Sequence, residues 1–521
     1  MGTRGLARAD VIVIGAGLSG LCTAGLLARH GLSVNVIEAQ PRPGGYIQGF
    51  SRKGFRFDSA VMWLNNVGPG GFVSRMFREI APSHPECKPL ERIWRFKGDS
   101  FDYLLTNHPD DLRDSLIMDF PGEAKGLERL FAHAKALGER MRSLNFRMRC
   151  PDSMSIAEKS LFGLKMLAWY LPVRHILRDS LEKGLARYVR DPAISNIFCA
   201  EEKLSALMVP LAWAYEGDFY SAPQGGSQAF VTWLMEALDQ LGAQVNLGIP
   251  VHKVLTDTKG NASGVKLSNG TVIHAKWVVA ACDVEQLYER MLPSNSVPEK
   301  FLTKLREADL YYSSFSVFCG LNRPARDLGF GEEIIRLTRD DIPREQQYSG
   351  DARASAISVF APSVRDASLA PEQKGTLTIQ CPAYISDHDR WHTGHESERG
   401  ESYRKHKYEL AQQVLGRIEQ QLGIEVRSSI EELCVATPIT YWRYTWNKNG
   451  SIMGAKPTDR NIKSHLAHYR TSIPRLLLAG SWAEYGGGIP MAVKAAANVS
   501  AMILKEEKPR AFLSLKRAMD T

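Results

Sequence analysis

Apolar residues at the start of the chain fall into two short runs separated by a helical pattern. Val11 to Ile14 is an uninterrupted β-branched run, typical of a strand buried on both faces of a parallel sheet. From Leu18 to His30 the apolar residues recur with helical spacing, and Gly31 ends the predicted helix. Val34 to Ile37 is a second buried-strand pattern. This order predicts a βαβ unit.

The turn of this unit carries glycines at positions that suit a dinucleotide. Gly15, Gly17 and Gly20 have G-x-G-x-x-G spacing, which permits a tight turn, close approach to a pyrophosphate and close helix packing. Glu38 ends the second strand, where an acid accepts hydrogen bonds from a ribose. The unit alone fits NAD or FAD. The residues expected to contact the cofactor are Gly15, Ala16, Gly17, Leu18, Ser19, Gly20, Glu38 and Ala39.

A second glycine-rich segment lies near the other end of the chain. Arg475 to Gly480 reads as a strand, and the run Gly486 to Gly488 precedes an alanine-rich helix that extends to Leu504. A helix N-terminus offers free N–H groups and a positive dipole end, so it can hold a phosphate or an electron-rich carbonyl. Candidate contacts here are Gly480, Ser481, Gly487, Gly488 and Ile489.

Between these segments the pattern changes several times. A helix is predicted over Gln228 to Leu241, followed by β-like runs at Gln244 to Leu247, Gly264 to Leu267, Thr271 to Ile273 and Trp277 to Ala281. Further strands are predicted within Tyr311 to Leu321, Ala356 to Phe360 and Thr376 to Cys381, and a helix over Tyr403 to Leu422. The nucleotide-binding part is therefore expected to be interleaved with another domain.

Three segments together resemble the FAD-dependent amine oxidases, phytoene desaturases, carotenoid isomerases and retinol saturases. They are residues 11–58, with the turn Arg42, Gly44 and Gly45 after the acid, residues 223–283, and residues 436–504. The resemblance implies FAD as cofactor, with Arg42, Gly44, Gly45 and Tyr46 among its contacts and Pro250 and Val251 beside its adenine end. Many relatives have a basic residue where this chain has Tyr46, so Arg42 or Arg52 would have to replace any phosphate contact. Many also have an acid where this chain has Ser481.

The segment TPITYWRYTWNKNGSIMG, residues 437–454, resembles the polyene-converting members most closely. Its aromatic residues would form a long apolar wall, with Trp442, Tyr444 and Trp446 as candidate substrate contacts, although any one of them could belong to the core.

The expected fold is α/β, a Rossmann-like FAD-binding domain of the glutathione-reductase type interleaved with an α+β substrate domain. Residues 1–70, 220–300 and 465–505 are assigned to FAD binding. Residues 71–219 are assigned to a helical lid or membrane-contacting region, and residues 301–464 to a substrate domain with a mixed sheet.

Composition limits the partners and the cellular location that are expected for the protein. Of 521 residues, 44% are hydrophobic, and the net charge of +8 is scattered, which does not favour a nucleic-acid partner. Eight widely spaced cysteines without a C-x-x-C pair suit the reducing cytoplasm. The apolar segment Leu161 to Leu171, flanked by basic residues, could be a core or lid helix or could rest on a membrane surface. Peripheral membrane attachment and the oligomeric state stay open.

Candidate catalytic side chains are not identifiable from the pattern. His388, His392 and His395 have helical spacing but lie in a charged stretch, so no metal site is expected. Glu216, Asp218 and Arg443 are interpreted as solvated charges or ion-pair members. The sequence contains no nucleophile elbow, so hydrolysis is not expected.

The function expected is flavin-dependent desaturation, saturation or cis–trans isomerisation of a long apolar isoprenoid or polyene. One alternative is an amine or porphyrinogen oxidase on the same fold. A second alternative, from another class, is a non-enzymatic prenyl-group carrier that has lost its flavin. The intact glycines and Glu38 argue against the carrier.

Overall fold

A computed structural model describes residues 8–145, 149–198, 203–217, 219–293, 296–386, 391–393 and 398–520. The strands are β1 Arg8–Ile14, β2 Val34–Ile37, β3 Phe50–Arg52, β4 Phe55–Phe57, β5 Leu64–Asn65, β6 Cys87–Pro89, β7 Arg92–Lys97, β8 Asp102–Thr106, β9 Tyr220–Pro223, β10 Gln244–Asn246, β11 Val251–Thr256, β12 Ala262–Leu267, β13 Val272–Ala280, β14 Ser313–Leu321, β15 Ile334–Leu337, β16 Ile357–Phe360, β17 Gly375–Ala383, β18 Ile430–Ala436 and β19 Leu476–Leu478.

The α-helices are α1 Leu18–Arg29, α2 Phe72–Ile80, α3 Pro109–Asp119, α4 Ala124–Asn145, α5 Ile156–Arg178, α6 Leu181–Leu185, α7 Pro192–Ile197, α8 Leu204–Ala214, α9 Ser227–Gln240, α10 Glu299–Arg306, α11 Pro362–Arg365, α12 Glu401–Leu422, α13 Pro438–Thr445, α14 Asp459–Lys463, α15 Gly488–Glu507 and α16 Pro509–Asp520.

The first sheet collects strands from both ends of the chain. β10, β2, β1, β13 and β19 lie side by side and are all parallel. β12 and β11 extend the sheet as antiparallel hairpins from the first half of β13. β1 and β2 are buried almost throughout, as their β-branched sequence predicts, and α1, α9 and α15 pack around the parallel part. The predicted α/β fold with a Rossmann-like nucleotide-binding part is confirmed.

The second sheet has seven strands in the order β18-β14-β17-β16-β15-β7-β8. Its neighbours are antiparallel except for β15 and β7, so the sheet is mixed. One face packs on α12 through the core residues of β14, β16 and β17. Strands β7 and β8 come from residues 92–106, within the stretch assigned above to the helical region, and they close one edge of this sheet.

Helix α5 contains the apolar segment Leu161–Leu171 and continues through Pro172 to Arg178. Only Val173 and Ile176 of this helix are buried, whereas Leu161, Leu164, Leu167 and Leu171 are between 49% and 68% exposed. The alternative of a core helix is therefore wrong for this segment. In the part of the chain that the structure describes, no helix is long and apolar enough to cross a membrane.

Candidate functional site

The loop between β1 and α1 uses each of its glycines differently. Gly15 has φ +105°, and a Cβ there would lie 2.9 Å from the carbonyl oxygen of Ala281. A Cβ on Gly20 would lie 2.0 Å from the Gly15 carbonyl oxygen, so this glycine lets α1 pack on the loop. A Cβ on Gly17, in contrast, would have no protein atom within 4 Å, and this glycine lines a large cavity together with Leu18 and Ser19. The N-terminus of α1 therefore opens onto this cavity.

Glu38 stands at the end of β2 beside the same loop. The Ala16 N–H donates to Glu38 Oε2 over 2.7 Å, and the Gln40 N–H donates to Oε1 over 2.8 Å. Burial raises the pKa of the Glu38 carboxyl above its ordinary value, while the backbone donors oppose this change. Glu38 and Ala39 both line the cavity, whereas Ala16 reaches it only through its bond to Glu38.

The turn after Glu38 packs directly on the glycine loop. Gly44 N–H donates to the Ala16 carbonyl over 2.7 Å, and a Cβ on Gly45 would come within 3.3 Å of Gly17 Cα. Gly44 and Gly45 have φ +116° and +55°, conformations that favour glycine. Both glycines line the cavity.

Tyr46 occupies the position where the resemblance leads one to expect a basic residue. Its hydroxyl donates to the Ser451 carbonyl over 2.8 Å, and burial raises its pKa to about 12. Tyr46 therefore ties the Gly44–Gly45 turn to the segment after α13, rather than supplying a positive charge. Arg42 and Arg52 are exposed and lie outside the cavity lining, so the replacement contact considered for them has no support in the structure.

The C-terminal segment closes the cavity from the other side. The Gly480 N–H donates to Ser19 Oγ over 2.9 Å, which joins the end of β19 to the first turn of α1. Gly487 caps the N-terminus of α15 with φ +58°, and a Cβ there would lie 2.4 Å from Met453 Cβ. Gly480, Ser481, Gly487, Gly488 and Ile489 all line the cavity. A second helix N-terminus therefore faces the same space as α1.

Val251, the first residue of β11, also lines the cavity. Pro250 lies outside the lining, and its carbonyl accepts from the Ser268 N–H over 2.9 Å. Of the two residues inferred from the resemblance to lie beside the adenine end of FAD, Val251 therefore reaches the cavity and Pro250 does not.

The cavity has a volume of about 800 Å³, within the range of small-molecule sites. Away from the glycines its wall is aromatic and aliphatic. Trp63 meets Trp94 edge to face at 5.1 Å, and Trp213 stacks on Phe219 at 4.5 Å. The apolar lining of this part includes Met62, Trp63, Trp94, Met141, Ala206, Pro210, Trp213 and Phe219.

The three aromatic residues proposed as substrate contacts divide between two positions. Tyr444 and Trp446 line the cavity, but Trp442 lies outside the lining. Tyr441, from the same segment, is buried in the core, where its hydroxyl bonds Ser316 and the Ser59 carbonyl. The pattern predicted the aromatic segment but not the helix α13, which begins with a Thr437 capping box and Pro438.

Asp283 is a site residue that the sequence interpretation missed. Its Oδ2 accepts from the Lys448 N–H at 2.9 Å and from Trp482 Nε1 at 3.0 Å, and Oδ1 accepts from the Glu285 N–H at 2.8 Å. Burial raises its pKa to about 6. An acid directly after a buried parallel strand lies at the carboxyl edge of the sheet, where ligands bind, and this position was a usable signal.

Those of the remaining polar candidates that the structure describes do not form a site. Glu216 pairs with Arg142 over 2.7 Å, and Arg443 is exposed. His392 stacks on His406, and among the described residues no group of potential ligands could hold a metal ion. Asp218, His388 and His395 lie outside the described residues.

The residues that line the cavity fit FAD. Two helix N-termini face one cavity, Gly17 leaves space there for a bulky group, and Glu38 lies at the carboxyl edge of the parallel sheet. The wall then continues into an apolar chamber. The site is that of a dinucleotide-binding protein with an adjoining apolar chamber.

The chain belongs to the family of flavin containing amine oxidoreductases, whose model matches residues 18–504. It is 24% identical to zebrafish (Danio rerio) all-trans-retinol 13,14-reductase, over 89% of this chain and 80% of that protein. It is 25% identical to phytoene desaturase of Fusarium fujikuroi, over 96% and 90%. It is 24% identical to the chloroplastic prolycopene isomerase of Daucus carota, over 86% and 73%.

Among solved structures, cyclohexylamine oxidase from Brevibacterium oxydans superposes with a TM-score of 0.57. The superposition covers 96% of this chain and 99% of the oxidase at 16% identity, a likeness that establishes the fold. Together the family and the relatives confirm an FAD-dependent oxidoreductase. They decide against the non-enzymatic carrier.

Proposed function

We propose that the chain holds one extended FAD between its N-terminal and C-terminal glycine segments. Glu38 and Val251 would hold the adenosine end, Gly17 and the N-terminus of α1 the pyrophosphate, and Gly480 to Ile489 the flavin. The bond between Ser19 and Gly480 supports this division, because it fixes the two segments beside each other. When bound, the flavin can accept a hydride from an activated C–H bond or return one to a conjugated alkene.

The substrate we propose is a long apolar isoprenoid or polyene that is desaturated, saturated or isomerised. The observation that carries this proposal is the apolar chamber, which is continuous with the glycine-lined part of the cavity. Flat conjugated chains suit walls of stacked and edge-to-face rings, since both sides of the chain are apolar. The reductase, desaturase and isomerase named above support the same substrate class.

The protein's own side chains would position the substrate and exclude water from the cavity. Tyr46, through Ser451, and Asp283, through Lys448 and Trp482, hold the segment after α13, which contributes part of the cavity wall. Both side chains act on the wall, and neither is assigned a role in bond breaking.

The test of this function is an anaerobic substrate comparison. Purified FAD-loaded protein is mixed with a panel of carotenoid and retinoid polyenes and, separately, with primary and secondary amines, while the flavin absorbance is recorded. Bleaching by a saturated precursor, or reoxidation of reduced flavin by a conjugated polyene, is the expected result. Product analysis by chromatography then separates the three reactions. Bleaching by amines alone would replace this proposal with the amine oxidase alternative, which the cyclohexylamine oxidase fold leaves available.

We further propose that α5 rests on a membrane surface. Its exposed leucines at positions 161, 164, 167 and 171 form an apolar face, and Lys159, Lys165, Arg174 and Arg178 provide cations close to it. Apolar side chains beside basic ones are the features that place a helix in the headgroup layer. A water-insoluble substrate would be collected there.

Vesicle cosedimentation tests this contact with a matched pair of variants. The double substitution Leu164→Glu and Leu167→Glu should abolish binding to anionic phospholipid vesicles and leave the melting temperature unchanged, because both side chains are exposed. Leu513→Glu, at an exposed leucine of α16, is the control and should bind vesicles normally. If the double variant instead changes the oligomeric state and the wild type does not bind vesicles, the apolar face is a subunit interface.

A further inference from the structure

The apolar chamber contains a polar row on one face of the second sheet. Ser316 in β14, Gln380 in β17, Ser358 in β16 and Arg336 in β15 are direct neighbours across four strands. Directly paired residues point to the same face of a sheet. Gln380, Ser358 and Arg336 line the cavity, so this face turns polar groups toward a space that is otherwise largely apolar.

Arg336 is the only basic residue among the described residues that line the cavity. Its guanidinium carbon lies 5.0 Å from the centre of the Trp94 ring, which orients the side chain along the aromatic wall.

Gln380 provides an independent sign of a ligand. The residue is 7% exposed, and its side-chain Nε2 has no hydrogen-bond partner among the described residues. Because leaving a buried amide donor without an acceptor is costly, such donors are normally satisfied by another protein group, a ligand or water. Ser358, paired with both Gln380 and Arg336, adds a hydroxyl between them.

The position of Arg336 sets the direction of the ligand. Ser316 bonds the hydroxyl of Tyr441, whose ring is 6.1 Å from that of Tyr46 in the turn after Gly45. Arg336 is three strand spacings from Ser316, roughly 14 Å. A ligand with its head at Arg336 would therefore extend its chain toward the glycine-lined part of the cavity.

We infer that the substrate carries a carboxylate at one end of its apolar chain, held by Arg336 and Gln380. This inference rests on the proposed polyene function and specifies its substrate class. A planar carboxylate matches the fork of an arginine and can also accept from an amide N–H. A diphosphate head fits poorly, because it would bring several negative charges to a wall whose described residues include one cation.

The test compares all-trans-retinoic acid with its methyl ester, which has the same polyene but no charge. Binding to the FAD-loaded protein is followed by quenching of tryptophan fluorescence, since Trp63, Trp94 and Trp213 border the chamber. The wild type should bind the acid at least about tenfold more tightly than the ester at neutral pH.

Substitutions test whether the polar row causes this preference for the acid over the ester. Arg336→Gln should weaken binding of the acid by at least about tenfold and leave binding of the ester nearly unchanged. Gln380→Leu should weaken binding of the acid by a smaller factor. Arg443→Gln is the control, because Arg443 also lies over an aromatic ring, that of Tyr444, but is exposed and outside the lining. Flavin content and melting temperature are measured for each variant.

Equal binding of acid and ester by the wild type would overturn the inference, even if no variant folds. It would also be overturned if Arg336→Gln weakened both ligands equally or lost the flavin, since Arg336 would then serve the wall or the cofactor. These outcomes leave the polyene function intact when the ester or a hydrocarbon polyene still binds. Failure of every polyene to bind would instead refute the proposed function.

Discussion

Gly17 is the position where the structure separates cofactor binding from folding most clearly. The substitution Gly17→Ala adds a methyl group that meets no protein atom within 4 Å, at a residue with φ −72°. The added group projects into the space assigned to the pyrophosphate. We therefore expect Gly17→Ala to weaken FAD binding and to leave the cofactor-free protein almost as stable as the wild type.

The expected magnitudes follow from the environment of each glycine. Alanine at the cap of α1 costs up to about 1 kcal/mol of stability. For 521 residues this lowers the melting temperature by about 1 °C. Crowding the cofactor by one methyl costs about 1–3 kcal/mol, which is roughly a 5- to 150-fold increase in the dissociation constant of FAD. At an FAD concentration of 100 times the wild-type Kd, stabilisation by ligand would fall from about 2.7 to about 1.4 kcal/mol if binding weakened tenfold.

Two further glycine variants frame this measurement. Gly15→Ala should destabilise the cofactor-free protein as well, by roughly 2–6 kcal/mol, because its φ is +105° and its Cβ would meet the Ala281 carbonyl oxygen. Gly163→Ala, on the exposed surface of α5, should lower neither the FAD affinity nor the stability of the cofactor-free protein. Kd is measured by quenching of flavin fluorescence and stability by circular dichroism. Wild-type FAD affinity in Gly17→Ala, or a loss of cofactor-free stability as large as in Gly15→Ala, would refute the reasoning.

Three other predictions concern buried polar side chains. Because burial raises the pKa of Asp283 to about 6, its contribution to stability is lost as the pH rises from about 4 to 6. Urea unfolding should show the wild type losing up to roughly 3 kcal/mol relative to Asp283→Asn over this range, and a constant difference would contradict it. Ser19→Ala leaves the Gly480 N–H without its acceptor and should lower the unfolding free energy by about 1–2 kcal/mol, measured by the same method. Arg149→Met removes a 7% exposed guanidinium that joins the start of α5 to the end of α16, and should cost about 2–3 kcal/mol. An unchanged unfolding midpoint in either of these two variants would show that water replaces the lost bond.

The parts of the fold that the sequence predicts well are those with local patterns. β1, α1 and β2 each satisfy one uninterrupted periodicity, and the predicted and observed bounds agree within a few residues. β13 was predicted as two runs because it changes environment along its length. Its first half alternates exposed and buried residues beside the β12 hairpin, and its second half is wholly buried between β1 and β19.

What the sequence did not predict depends on pairing across long separations. β15 has four residues and owes its place to β7, more than 230 residues earlier in the chain, so neither strand stands out alone. The polar row through Gln380 and Arg336 exists only because the registers of three antiparallel strand pairs coincide. The cofactor contacts at Arg42 were inferred from the resemblance, and the structure turns that side chain to solvent.

The order of strands in the parallel sheet has a consequence for synthesis of the protein. β1 and β2 leave the ribosome first, but their neighbours β13 and β19 follow much later, and β19 comes about 460 residues after β1. At cellular translation speeds this interval is roughly 25–90 s. During that time β1, whose residues Val11–Ile14 are all apolar, lacks its final neighbour in the sheet, which exposes the nascent chain to aggregation. We therefore expect newly made chains to engage chaperones, and FAD to bind only after translation has ended.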